Sequence, residues 1–292
     1  MTSIDEWRAS GDFFFHRGHR IFWRGSGGAN TPILLLIHGF PTSSWDWEAV
    51  WPALAQHYRL LVIDMIGFGF SDKPLRYEYR IADQADIQES LLRTQSVSEY
   101  HILAHDYGDT VAQELLARQS EPVDRPKLRS VCFLNGGLFP ETHRPTFVQK
   151  LLQSPVGGLI TRWMTRDRFA RNFTHLFGPE TQPTSDQLDV FWELIVHDGG
   201  VHVYTSLIHY IAERNSNRSR WVGALLADSV PLKLIDGAVD PISGAHMAER
   251  YRQLVPRSDV TLLEGIGHYP QIETPQRVVE EYLGFRAVVA RR

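Results

Sequence analysis

The stretch His101-Ile102-Leu103-Ala104-His105-Asp106-Tyr107-Gly108-Asp109-Thr110 limits the folds open to this chain more than any other. An apolar run, Ile102-Leu103-Ala104, ends at a small residue, and Asp106 follows between His105 and Tyr107. Gly108 and a helix-like segment at 111–116 come next. A strand therefore turns sharply into a helix, with one side chain, that of Asp106, at the apex. Small residues at 104 and 108 let the two elements approach closely enough to tighten the turn.

The rest of the chain repeats that rhythm. Residues 33–37, 60–64, 129–135, 231–236 and 260–264 are apolar runs of the kind expected for strands buried on both faces of a parallel sheet. Residues 13–24 read as a hairpin turning at Arg17-Gly18-His19. Thr42-Ser43-Ser44 offers caps for a helix from Trp45 to Leu54, and 81–95 and 277–283 also read as helices. Strands alternating with helices predict an α/β fold with a mostly parallel, doubly wound sheet. From Leu138 to Leu226 the pattern changes to helical stretches rich in Arg, Phe and Trp, with no buried strand. The expected organisation is a core of residues 1–137 and 227–292, with 138–226 inserted as a helical cap over the carboxyl ends of the strands, where such sheets bind ligands.

Composition narrows the function. Of 292 residues, 43% are hydrophobic and 22% charged, a globular balance, and the net charge of −4 points away from nucleic acid and anionic membrane surfaces. The single cysteine, Cys132, sits in an apolar run and rules out an intramolecular disulfide framework. The first residues carry acids and no long apolar core, and no run is long enough to span a bilayer, so the expected location is cytoplasmic.

Asp106 occupies the nucleophile place of a small-x-nucleophile-x-Gly turn, where many hydrolases carry serine. With an ordinary aspartate pKa near 3.9, such a carboxylate needs no base to activate it. It suits displacement at a saturated carbon bearing a leaving group, giving an alkyl-enzyme ester. Hydrolysis of that ester needs a base for water and donors for an oxyanion. His268, in Gly267-His268-Tyr269-Pro270, is the expected base, and Asp240 its orienting acid, with Asp236 as second choice. Asn135 ends a strand but is an amide and cannot be the acid. The backbone N–H groups of Phe40 and Tyr107 are the expected oxyanion donors. A serine-type esterase is disfavoured because Asp106 has no hydroxyl to deprotonate.

The plainer readings are these. Asp106 alone would be a helix N-cap. Gly67 and Gly69 read as a structural turn, because Ser71-Asp72 stands where a dinucleotide fingerprint needs its third glycine. His38 and His105 read as hydrogen-bonded scaffold, and with His268 they lack the spacing of a metal site. Arg162, Arg166, Arg168 and Arg171 read as a solvated helix face. No metal or cofactor is expected.

Four segments together, His38-Gly39-Phe40-Pro41, 67–74, His105-Asp106-Tyr107-Gly108 and Gly267-His268-Tyr269-Pro270, resemble the α/β-hydrolase group of epoxide hydrolases and haloalkane dehalogenases. Segments 135–145 and 220–225 resemble in particular the mesoderm-specific transcript subgroup. The resemblance implies the α/β-hydrolase fold and a small apolar electrophile, with water, as substrates. It implies epoxide hydrolysis to a vicinal diol, with Tyr210 as the cap tyrosine that protonates the leaving oxygen and Phe40, Tyr107 and Trp192 against the substrate. No tyrosine earlier in the cap is read as its partner; His143 and His175 are substitutes, and Trp163 a further cap indole. Phe40 and Tyr107 stand where haloalkane dehalogenases usually place halide donors, so dehalogenation is the alternative, and a binding or regulatory protein of the same fold is the other.

Overall fold

The structure, a computed structural model, describes residues 2–28, 31–154, 157–161 and 163–291. Eight strands form one sheet: β1 (Asp12–His16), β2 (His19–Ser26), β3 (Ile33–Ile37), β4 (Arg59–Ile63), β5 (Glu99–His105), β6 (Lys127–Leu134), β7 (Leu232–Gly237) and β8 (Val260–Leu263). Their order is β1-β2-β4-β3-β5-β6-β7-β8. The hairpin β1–β2 and the β2–β4 pair are antiparallel, and every pair from β4 to β8 is parallel. The hairpin turns on Arg17 and Gly18, both with positive φ, as a tight two-residue hairpin loop requires.

The middle strands read as unbroken apolar runs because helices cover both faces; β3, β4 and β5 are buried almost throughout. The expected helix from Trp45 to Leu54 is instead a 3-10 turn, Ser44–Trp47, and a short helix, Trp51–Leu54, with Pro52 in its first turn. The final helix, Pro275–Val289, runs longer than expected at both ends.

Between β6 and β7 the described elements are all helical. One of them, Arg218–Leu226, is pinned to the helix after β5, Tyr107–Arg118, through Glu114. That carboxylate accepts from Arg220 Nε at 2.7 Å, Trp221 Nε1 at 2.8 Å and Arg118 Nε at 2.9 Å. Burial alone would raise the Glu114 pKa; these donors outweigh it and lower it. Arg168 and Arg171 are exposed, as a solvated face requires, whereas Arg166 pairs with Asp189 at 2.7 Å; Arg162 lies outside the described residues. Among the described residues no helix is long and apolar enough to cross a membrane.

Because β3 and β5 to β8 are parallel, the loops after them collect at one edge of the sheet. Those loops carry Phe40, Asp106, Asn135, Asp240 and His268.

Candidate active site

Asp106 joins β5 to its helix with φ 47° and ψ −105°, a strained conformation for a residue with a side chain. The strain lifts its carboxylate clear of the helix. Gly108 permits the turn, since a Cβ there would stand 2.4 Å from the Ile37 carbonyl oxygen and 2.7 Å from that of His38. Gly39 permits the opposite approach, its Cβ position being 2.6 Å from His105 Nδ1. The Phe40 N–H consequently donates to Asp106 Oδ2 at 3.2 Å. Tyr107 opens the helix, so its own N–H has no carbonyl partner within it.

His268 Nδ1 lies 2.7 Å from Asp240 Oδ2. Asp240 is further held by Asn135 Nδ2 at 2.9 Å and Ser243 Oγ at 2.8 Å, both on Oδ2, and by the Ile242 N–H at 2.7 Å on Oδ1. Burial opposes both charges, but their mutual attraction and hydrogen bond outweigh it. Asp240 is lowered to about 2 and His268 raised to about 9, with Asp106 adding to the pull on the imidazole. The His268 N–H donates to the Leu176 carbonyl at 2.7 Å, and Glu273 accepts from the Gly267, Tyr269 and Gly178 N–H groups, which fixes the histidine loop against the inserted helices.

Asp236, the second choice for the acid, is buried at the end of β7 with both carboxylate oxygens unpartnered among the described residues. Burial, then Asp240, raises its pKa well above normal, and it makes no hydrogen bond to the imidazole.

The other two histidines hold backbone. His38 Nε2 accepts from the Met65 N–H at 3.0 Å, which leaves Nδ1 as donor to the Gly39 carbonyl at 2.8 Å. Burial lowers its pKa to about 4. His105 Nε2 donates to the His268 carbonyl at 2.8 Å, and burial together with His268 lowers it to about 3. Gly69 lets the loop after β4 close on Asp64, whose carboxylate accepts from the Phe70 and Ser44 N–H groups; this is a structural turn.

Asp106 and His268 face one cavity of about 810 Å³, walled largely by apolar side chains such as Phe40, Leu152, Met164 and Phe173. A tyrosine earlier than Tyr210 does reach it, contrary to the expectation from sequence. Tyr204 lines the wall, and its hydroxyl donates to the Pro41 carbonyl at 2.9 Å. Tyr210 is wholly buried, its ring 4.7 Å from that of Tyr107 and 4.5 Å from the Arg214 guanidinium. Burial, then the Asp106 charge, raises its pKa. Tyr107, Tyr210 and Trp192 are not part of the cavity wall; Trp192 packs on Phe169 at 5.8 Å. Trp163 and His175 are in the wall, and His143 is not.

Besides Tyr204, two roles escaped sequence reasoning. Asn135, with φ 42°, is the residue that clamps Asp240, and its position at a strand end was the available signal. Arg214, 2% exposed, stands with Nη2 3.8 Å from Asp106 Oδ1, and nothing local in the sequence marks it. Among the described residues no group of three or more His, Cys, Asp or Glu side chains could hold a metal ion.

The alpha/beta hydrolase fold family matches residues 32–275. The mesoderm-specific transcript protein of Mus musculus is 44% identical over 295 aligned residues, covering 97% of this chain and 88% of the relative. Haloalkane dehalogenase DbeA from Bradyrhizobium elkani superposes with a TM-score of 0.79 at 22% identity, covering 96% of this chain and 98% of that one. Epoxide hydrolase CorEH superposes with a TM-score of 0.79 at 16% identity, covering 96% and 99%. At such identities the two structures share the fold, while the family match and the relative from mouse extend over most of the sequence. This chain belongs to the α/β-hydrolase family.

Proposed function

We propose that the protein hydrolyses an apolar epoxide to a vicinal diol through an ester on Asp106. The observation that carries this reading is a carboxylate, not a hydroxyl, at the strained apex, on the wall of the same apolar cavity as His268. Asp106 attacks a ring carbon, the C–O bond of the epoxide breaks, and the oxygen takes a proton from Tyr204, the cap tyrosine in the cavity wall; Tyr210, given that role from sequence, is wholly buried outside the wall. His268, oriented by Asp240, then takes a proton from water as the water oxygen adds to the ester carbonyl. The N–H groups of Phe40 and Tyr107 hold the oxyanion, and its collapse releases the diol, whose oxygen takes the imidazolium proton, while the carboxylic acid left on Asp106 returns its proton to the tyrosinate.

Halide release is the second reading. Its support is Trp163, an indole in the cavity wall, and 65% exposed. Against it, Phe40 and Tyr107 have no side-chain N–H to offer a departing halide.

The test is intact-protein mass spectrometry on His268→Gln after exposure to styrene oxide and to bromoethane, with Asp106→Asn as control. A hydroxyalkyl adduct on Asp106 is the expected result. An ethyl adduct alone moves the assignment to dehalogenation, and full turnover by Asp106→Asn refutes covalent catalysis.

A further inference from the structure

The helix Tyr210–Ser216 lies in the segment inserted between β6 and β7, yet two consecutive side chains tie it to helices of the sheet layer. Glu213 accepts from the Ile81 N–H, 3.3 Å from each carboxylate oxygen, at the start of helix Ile81–Thr94, where a negative charge is favoured. Arg214 reaches under the elbow instead. Its Nε donates to Thr110 Oγ1 at 2.8 Å, and Nη2 donates to the main-chain oxygen of Asp106 at 3.2 Å. The same Nη2 is 3.8 Å from Asp106 Oδ1. Gly137 makes the room, since a Cβ there would stand 2.3 Å from Nη1.

Burying a guanidinium is costly, and an amide or apolar side chain would fasten a helix without that cost. What the charge adds lies in its surroundings. The carbonyl that Arg214 grips belongs to the one residue holding φ 47° at the elbow, and such strain persists only where the surroundings over-determine it. Phe40 holds the Asp106 carboxylate, and Arg214 holds its main chain. The neighbourhood is also crowded with acid. Asp109, on the same helix, is wholly buried and feels the Arg214 charge, and Asp236 is wholly buried with both carboxylate oxygens unpartnered among the described residues. The other titratable groups around Asp106 and Arg214 include His105, His143, Tyr210, Asp240, His268 and Tyr269. Arg214 is not part of the cavity wall, so it acts on the nucleophile and not on the substrate.

We propose that Arg214 is a positioning residue for the nucleophile: from the inserted helices it fixes the Asp106 main chain in the elbow conformation and sets a countercharge beside its carboxylate. This rests on the reading of Asp106 as nucleophile. The experiment compares the rate of adduct formation with styrene oxide in His268→Gln alone and combined with Arg214→Met, Arg214→Lys or Thr110→Val. Arg214→Met is expected to slow adduct formation by about a hundredfold with an unchanged dependence on epoxide concentration. Arg214→Lys is expected to recover most of that loss and Thr110→Val to slow the step about tenfold, which decides the matter even if Arg214→Met fails to fold. A parental rate in the Arg214 and Thr110 variants, with only a lower melting temperature, would overturn the proposal and leave a structural anchor. If the parent forms no adduct, the reading of Asp106 fails first. Infrared difference spectra of each protein against its Asp106→Asn partner then decide Arg214. A carboxylate band displaced in Arg214→Met, as the countercharge leaves, supports it, and an unchanged band refutes it.

Discussion

His268 Nδ1 and Asp240 Oδ2 stand 2.7 Å apart, both buried, and each holds the other in its charged form. The His268 pKa is raised from 6.5 to about 9, so the folded state binds a proton that the unfolded chain releases. The stabilisation is fully present below about pH 6.5 and is lost as pH rises through about 9. It amounts to about 3 kcal/mol. The lowered Asp240 is the same contact seen from its partner, present above about pH 3.8 and lost as pH falls through about 2. Urea unfolding across pH should therefore show a steeper decline above pH 6.5 in the native sequence than in Asp240→Asn. The comparison cancels other groups such as Lys73, whose buried ammonium is lowered to about 8. Parallel curves would refute the coupling.

A base must be neutral before it can accept a proton, so a resting His268 that titrates near 9 is poorly placed to activate water at neutral pH. Asp106 is among the charges that raise it, and esterification removes that charge. On the proposed mechanism the attack step therefore prepares its own base. In single-turnover experiments the pH midpoint for ester release should lie below the midpoint for His268 in the resting protein, read by NMR. Equal midpoints would show that the Asp106 charge has no part in the coupling.

Asn135 donates to Asp240 Oδ2 and accepts from the Gly237 N–H at 2.7 Å. Asn135→Gly keeps the positive φ accessible and removes these bonds and the donation to the Gly237 carbonyl, leaving Asp240 with fewer donors and the Gly237 N–H unpartnered. Release of the ester should slow about tenfold to a hundredfold while its formation is little changed, and stability should fall by about 1–3 kcal/mol. Burst kinetics separate the two steps; a loss confined to formation would contradict this role.

A proton-donating tyrosine is distinguished from a packing one by its effect on different leaving groups. A hydroxyl that protonates an epoxide oxygen is superfluous when bromide departs. On the proposed mechanism, Tyr204→Phe should slow adduct formation from styrene oxide by roughly a hundredfold or more and leave that from bromoethane within a few-fold, while Tyr210→Phe, outside the cavity wall, should change neither rate by more than a few-fold. Equal losses with both probes would reduce Tyr204 to pocket shape.

The sheet and the elbow were legible because their signals are local. A run such as Ile33-Leu34-Leu35-Leu36-Ile37 has few homes other than a strand covered on both faces, and a small residue, an acid and a glycine around a strand end describe one turn. Tyr204 was overlooked because the sequence window around it, His202-Val203-Tyr204-Thr205, has no pattern that separates a wall residue from packing. Its meaning comes from the Pro41 carbonyl, 163 residues away. Arg214 is the same problem in a sharper form, since its partners Thr110 and Asp106 lie 104 and 108 residues earlier. Trp192 shows the converse: an aromatic in a helical segment was read as facing the substrate, and it is half-buried on Phe169 outside the cavity wall.

Gly108→Ala asks whether the elbow and the oxyanion loop form one unit. A methyl group at 108 would meet the carbonyl oxygens of Ile37 and His38 at 2.4 and 2.7 Å, and these are backbone atoms that no side-chain rotation can clear. Either the helix Tyr107–Arg118 backs away from β3 or the end of β3 moves. Both movements separate Asp106 from the Phe40 N–H, now 3.2 Å from its carboxylate. Overpacking of this kind costs about 1–3 kcal/mol, so the variant should still fold, with a lower melting temperature. Its ester hydrolysis should fall by about a hundredfold, the loss expected on misplacing one oxyanion donor. Melting curves together with single-turnover release rates check it. A destabilised protein that releases its ester at the native rate would mean that the loop at Phe40 follows the helix as it shifts, and that the Phe40 N–H is not tied to the turn at Gly108.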